Sequence, residues 1–287
     1  MVARMSRQGE LVRTSLVYRH RLPTRLAHWV TVLCLPILVL SGFQIFNAHP
    51  ALYWGERSDA DRPLLAMRAE RTPAGSLKGI TQVFGRDFDT TGVLGASRDG
   101  SLGVQDRGFP RWATLPGHQW LAMGRRWHFF FAWVFVLNGL AFAVYSVGGG
   151  HLRRDLLPNR RELRGLGRSL RDHLLLRMGG EPLGRYNVLQ KLAYGSVVFA
   201  VAPLAVLTGL AMSPRVDAMV PILPAVFGGR QSARTLHFLL TFGLIAFTVI
   251  HLFMVAVTGV VNNLGSMILG WYRIPRREAD DDGPNGN

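Results

Sequence analysis

Across 287 residues, 33 Lys and Arg stand against 18 Asp and Glu, a formal charge of +15 at neutral pH. Residues 26–55, 127–152, 192–214 and 235–272 hold no Asp, Glu, Lys or Arg, and each gap exceeds the ~20 apolar residues that cross a bilayer as a helix. This segregation excludes a soluble globular domain, a disordered chain and a disulfide scaffold, and predicts an all-α integral membrane protein with a four-transmembrane-helix bundle.

Residues 1–25 form a basic N-terminal segment, with Arg4, Arg7, Arg13, Arg19, Arg21 and Arg25 against Glu10 alone. The first helix is expected from about Leu26 to Phe46. It exceeds the roughly 7–15 apolar residues of a signal peptide, and Asn47-Ala48-His49-Pro50 makes a poor cleavage site, so the helix is read as retained. A long Gly- and Pro-rich loop, 47–126, follows. The second helix is expected from Trp127 to Val147, ending at Gly148-Gly149-Gly150. The loop 151–187 carries nine Arg and four acids. The third helix spans about Val188 to Met212 and contains Pro203. A short Pro-rich loop, 213–234, leads to the fourth, about Thr235 to Val261, which can continue towards Tyr272. Residues 26–272 make one membrane domain, and 273–287, with Asp280-Asp281-Asp282, are expected as a disordered tail.

Positive charge flanking membrane helices marks the cytoplasmic side in short loops. The Arg-rich N-terminus and the 151–187 loop therefore point inward, and the 47–126 loop points outward. This predicts a multi-pass membrane protein with both termini cytoplasmic. Arginines placed beside apolar segments also account for the basic balance without nucleic acid. Trp29, Trp54, Trp112, Trp120, Trp127 and Trp271 lie near helix ends or in the outward loop, where aromatic side chains anchor at the interface. Cys34 is the lone cysteine, which rules out a disulfide, a Cys-x-x-Cys-His haem attachment and a Cys-ligated iron–sulfur cluster.

The chemistry lies in the histidines. Four of the nine fall in the apolar segments: His28, His128, His237 and His251. Ionisable groups at membrane depth mark function. His237 and His251 are 14 residues apart, on one helix face and separated by about 21 Å of rise. That stagger is too large for one ion and suits two cofactors. Alternating helix directions pair the others by depth, His28 with His251 and His128 with His237. Two bis-histidine sites result, which two b haems satisfy, whereas zinc wants three or four ligands with Asp, Glu or Cys at hand. Arg25, Arg125 and Arg234 each precede a proposed ligand by three residues, on the same face and nearer the surface, where a guanidinium can pair with a haem propionate. Gly42 lies 14 residues beyond His28, and Gly195 and Gly209 are also 14 apart, so a flat ring could approach the backbone there. His20, His49, His118, His151 and His173 lie outside the apolar cores.

Arg19-His20-Arg21-Leu22-Pro23, then Arg25-Leu26-x-His28-Trp29, Ser41-Gly42 and the His237/His251 helix resemble the bacterial di-haem cytochrome b subunits. These are the membrane anchors of formate dehydrogenases, nickel–iron hydrogenases and thiosulfate-reductase-like enzymes. Arg185-Tyr186-Asn187-x-x-Gln190-Lys191 is similar to the motif opening the third helix in the formate dehydrogenase branch. The resemblance implies transfer of electrons between the quinone pool and a periplasmic redox subunit, a molybdenum oxidoreductase or a hydrogenase. The long 47–126 loop departs from the compact members, and its length and its aromatic and basic stretch Phe109 to Arg126 make it the expected docking surface. Asn187, Gln190 and Lys191 offer N–H donors at one depth and are the expected quinone contacts. A stand-alone superoxide:quinone oxidoreductase of similar build and a non-redox transporter are the competing expectations; the first would need no partner and the second would bind no haem.

Overall fold

A computed structural model describes residues 2–5, 11–150, 152, 158–175 and 188–276. Four helices are long and apolar enough to cross a membrane: α1 (Leu22–Phe46), α2 (Leu121–Gly148), a third spanning Val188–Ala211, and α9 (Arg230–Leu269). The charge-free stretches foresaw all four, but not their ends. α1 and α2 begin four and six residues before the first uncharged position, so Arg25, Arg125 and Arg126 lie inside helical turns. Backbone hydrogen bonding continues past the apolar core, and an Arg there is tolerated because its long stem reaches the interface. On α2, Phe130, Leu137 and Val144 stand seven residues apart and are all exposed, an apolar stripe that suits lipid.

The third crossing is interrupted. α5 (Val188–Ser196) gives way to a π turn at Val197–Val201 before α6 (Ala202–Ala211) resumes. Pro203 lies just after the turn and lacks the N–H that a regular helix would use there. α9 also breaks, at Gly259, whose φ of 108° and ψ of 96° lie where a side chain would be strained. It ends at Gly270, at φ 89°, whose N–H closes on the Ser266 carbonyl at 3.0 Å.

The chain divides into two compact units, and the division cuts α1, α2 and α9 and falls between α5 and α6. The first unit holds 1–29, 142–196 and 247–287. Its sheet joins β1 (Val2–Met5), β2 (Leu11–Tyr18) and β9 (Trp271–Arg276), with Tyr18 opposite Trp271 and Leu16 opposite Arg273 in an antiparallel register. Residues 273–276, expected as disordered, are therefore strand; 277–287 lie outside the described residues. Asn262 fastens this strand, accepting from the Arg273 N–H at 2.9 Å and donating to its carbonyl at 3.0 Å. Two short helices, α3 (Arg160–Arg164) and α4 (Leu166–Leu174), belong to the same unit, α3 opened by an Asn159/Glu162 capping box.

The second unit holds 30–141 and 197–246. The expectation of an all-α chain is corrected here. The segment after α1 forms an antiparallel sheet of β3 (Ala51–Leu52), β4 (Leu65–Arg71), β5 (Leu77–Val83) and β6 (Arg86–Asp89), and a ribbon of β7 (Ala96–Arg98) and β8 (Val104–Asp106). Alternating side chains in 65–71, β-branched residues in 77–83 and Gly/Pro turns between them favour strands over helix. Two short helices, α7 (Pro214–Met219) and α8 (Ile222–Val226), precede α9. Phe46, Leu52, Met67 and Phe109 make the core under the sheet, with Phe43 and Phe238 against it. Phe43 stacks on Phe109 at 4.0 Å. The Arg107 guanidinium is enclosed, donating to Asp99 at 2.7 Å, Thr114 at 3.0 Å and the carbonyls of Phe109 at 2.8 Å and Gly117 at 3.0 Å. Residues 49–55 are latched to the first turns of α9: Gly55 N–H donates to Ser232 Oγ at 2.7 Å and Thr235 Oγ1 donates to the Tyr53 carbonyl at 2.6 Å.

Candidate functional site in two histidine pairs

The four membrane histidines come together as two pairs, each within one unit. In the first unit the His28 and His251 rings are centred 6.4 Å apart at 60°. In the second, His128 and His237 are centred 6.3 Å apart at 68°. Two imidazoles that bind one metal from opposite sides at about 2.0 Å per bond, with roughly 1.1 Å more from each nitrogen to its ring centre, stand about 6.2 Å apart. Neighbouring aromatic rings also stand at such distances, as Tyr194 and His251 do at 6.2 Å; what marks these sites is that each unit brings two membrane histidines to that spacing. Among the described residues no group of three or more His, Cys, Asp and Glu could hold an ion. Two imidazoles at this spacing suit a metal whose remaining ligands come from elsewhere, as from a macrocycle.

Local sequence holds the second pair. His128 Nδ1 lies 3.1 Å from the Leu38 carbonyl and 3.1 Å from Ser41 Oγ. His237 Nδ1 lies 2.9 Å from the Ala205 carbonyl and 3.2 Å from Thr208 Oγ1. A carbonyl only accepts, so Nδ1 carries the proton in both rings and Nε2 keeps its lone pair for a metal. Gly42 and Gly209 complete the arrangement. A Cβ at Gly42 would stand 3.4 Å from His128 Cε1, and one at Gly209 3.3 Å from His237 Cε1. α1 thus supports the histidine of α2 as α6 supports that of α9. Ser41-Gly42 and Gly209 are marked in the sequence, but their shared use is a product of the fold. The signal was present in the repeat of Val-Leu-Ser-Gly at 39–42 as Val-Leu-Thr-Gly at 206–209.

Aromatic rings surround the first pair. Trp29 meets His28 edge-on at 5.3 Å and is held by its indole N–H on the Met267 carbonyl at 3.0 Å. Phe247 lies nearly parallel to the His251 ring at 5.9 Å, and Tyr194 meets it edge-on at 6.2 Å. His28 Nδ1 is buried with no hydrogen-bond partner among the described residues.

The arginines expected near a cofactor differ in setting. Arg25 donates to the Ile268 carbonyl, and its Nε is buried without a partner among the described residues. Arg234 donates to the His49 carbonyl and lies 5.4 Å over the Phe46 ring. Arg125 lies 5.6 Å over Phe129 on the exposed side of α2. Of the expected quinone contacts, Asn187 lies outside the described residues and Gln190 lies in the first turn of α5. Lys191 is nearly buried, with both oxygens of Glu162 at 2.9 and 3.1 Å from Nζ. It is held in an ion pair, a partner 29 residues away that the sequence pattern did not indicate. Outside the membrane segments, burial and then the Arg234 cation hold the His49 imidazole below its usual pKa.

Among proteins of known sequence, the chain is 28% identical over 248 residues to a putative protein-methionine-sulfoxide reductase subunit, YedZ1, of Azospira oryzae, spanning 86% of this chain and 93% of that one. The family model for prokaryotic cytochrome b561 matches residues 19–270, a range that includes all four membrane helices and both histidine pairs. The chain therefore belongs to the prokaryotic cytochrome b561 family, as a multi-pass membrane cytochrome b of electron transfer.

Proposed function

We propose that the chain is the electron-transferring membrane subunit of an oxidoreductase complex, with one b haem between His28 and His251 and a second between His128 and His237. The observation that carries the reading is the ring separation of 6.4 and 6.3 Å in the two pairs. When bound, each haem supplies a one-electron iron couple inside a low-dielectric segment. The protein's own contribution is to present two Nε2 lone pairs per site, to fix the His128 and His237 tautomers through Nδ1, and to place Arg25, Arg125 and Arg234 one turn from a ligand for the propionates. The 14 residues of α9 between His237 and His251, about 21 Å of helix rise, support two sites at different membrane depths.

In this reading the chain crosses a bacterial inner membrane with its Arg-rich N-terminus and 151–187 loop in the cytoplasm, and the 47–126 segment faces the periplasm. That segment docks the redox partner. Trp54 and Trp112, 61% and 79% exposed, are suited to a contact, and the relative's name as a reductase subunit supports the existence of a partner. The quinone reacts at the other side, near Asn187, Gln190 and Lys191, where Tyr194, one turn beyond Lys191, reaches the His251 ring.

The test is a haem count. A pyridine haemochrome assay on purified protein should give two b haems per chain. Alanine at His28 or His251 should remove one, and alanine at His128 or His237 the other. Loss of the same haem from His28→Ala and His128→Ala would overturn the pairing.

A further inference from the structure

We infer that the chain sets its two irons apart in potential through the Nδ1 side of its histidines, and that the iron of the His128/His237 pair is the stronger reductant. The inference rests on the two-haem reading above.

The device is a five-residue clamp used twice. In Leu38–Gly42 and Ala205–Gly209 a carbonyl, then a hydroxyl three residues later, face the Nδ1 of a histidine on another helix. Both hydroxyls are fully buried. Their own protons go elsewhere: Ser41 Oγ donates to the Ile37 carbonyl at 2.6 Å, and Thr208 Oγ1 to the Leu204 carbonyl at 2.8 Å. Each hydroxyl therefore offers Nδ1–H a lone pair, and each ring proton is drawn towards two acceptors. Hydrogen bonding from the distal N–H raises the basicity of a metal-bound imidazole. A more electron-rich nitrogen favours ferric over ferrous iron, and enclosure away from water strengthens the effect. His28 has no such acceptor among the described residues, its Nδ1 being buried and unpartnered. Arginines one turn from the ligands act in the opposite sense; Arg125 lies over Phe129 on the exposed side of α2, which leaves one half-buried arginine beside each pair, Arg25 and Arg234. The difference that remains is at the Nδ1 of His28, unpartnered among the described residues, against two acceptors for each histidine of the other pair.

The experiment is a redox titration of the full-length holoprotein in nanodiscs, followed by the haem α-band and by electron paramagnetic resonance, with haem content measured in every sample. Wild type should titrate in two waves, and His128→Ala should remove the lower one. Ser41→Ala and Thr208→Val should each keep two haems and raise the lower midpoint. The expected size is about three- to tenfold in the ferrous-to-ferric ratio at fixed potential, roughly one net hydrogen bond; tenfold corresponds to about 59 mV for one electron. The upper wave should not move, and Ser41→Thr and Thr208→Ser should restore the lower one. An unmoved lower midpoint in the double variant with both haems retained overturns the inference alone. So does assignment of the lower wave to His28/His251, or loss of haem from both hydroxyl variants, which would make the hydroxyls a binding requirement. If His128→Ala leaves the haem content intact, the ligand reading falls, and the inference with it.

Discussion

The two histidine pairs have nearly the same spacing and different surroundings. Rings 6.3 and 6.4 Å apart are delivered by helix positions alone, since His237 and His251 share a face of α9 and their partners sit near the starts of α2 and α1. What touches those rings is a separate matter. His128 and His237 are fixed by carbonyls, hydroxyls and glycines from a second helix, whereas His28 and His251 are framed by Trp29, Phe247 and Tyr194. Backbone geometry sets where a metal can sit; the residues one and two turns away on neighbouring helices set how rigidly, and with what electron density, it is held.

The largest effect should come from the enclosed arginine, Arg107, in the same unit as the His128/His237 pair. In Asp99→Ala, Arg107 loses its buried carboxylate, a change that costs about 3–5 kcal/mol when a buried charge is left uncompensated. Thermal unfolding followed by limited proteolysis should show the 47–120 segment cleaved first, while the His28/His251 haem signal persists. Simultaneous loss of both haem signals would erase the distinction between the two regions. Next in size are Gly42→Ala and Gly209→Ala. The added carbons meet imidazole atoms at 3.4 and 3.3 Å, so the rings give by a few tenths of an ångström, the His237 ring more, at about 1 kcal/mol. Reduced haem occupancy at His128/His237 only is the expected result of a haem titration.

A change of similar size belongs to the other pair. Lys191→Met breaks the ion pair with Glu162 one turn from Tyr194. Haem reduction by added quinol should slow about tenfold, as for 1.4 kcal/mol of lost positioning, with both spectra intact. Equal rates in Lys191→Met, Gln190→Ala and Asn187→Ala would move the quinone site away from this helix. The smallest effect concerns pH. His49 is held below its usual pKa by burial and by Arg234, so the unfolded chain binds its proton more readily. Stability contributed by the neutral ring is present above about pH 6.5 and is lost as pH falls below it. The melting temperature should drop less on acidification in His49→Phe than in wild type.

How much of this was legible depends on whether the cause was local. Absence of charge marks the middle of a membrane helix, because charge there is costly, but it says little about where hydrogen bonding starts; hence α1 at Leu22 and α2 at Leu121. Alternating helix direction brings His28 to the depth of His251 and His128 to that of His237, so the juxtapositions are implicit in the sequence. The strands of 51–106 escaped because they are short, mixed in pattern and defined by pairing with each other. Glu162 escaped for the same reason. Its contact with Lys191 is made by folding, and the capping box at Asn159 was its only local mark. Ser41 and Thr208 were legible in principle, as a repeated four-residue word, but only to a reader who compared the first helix with the third.

The pairing of β2 with β9 constrains how the chain can thread a bilayer, with no appeal to arginine counts. Residues 11–18 and 271–276 share hydrogen bonds in register, so the two ends of the membrane domain must emerge on one side. Only an even number of crossings allows that. A single helix skipped or added would tear the sheet apart, and four satisfies the parity while three or five cannot. Reporters fused to either terminus should therefore always agree on sidedness, whichever side it is.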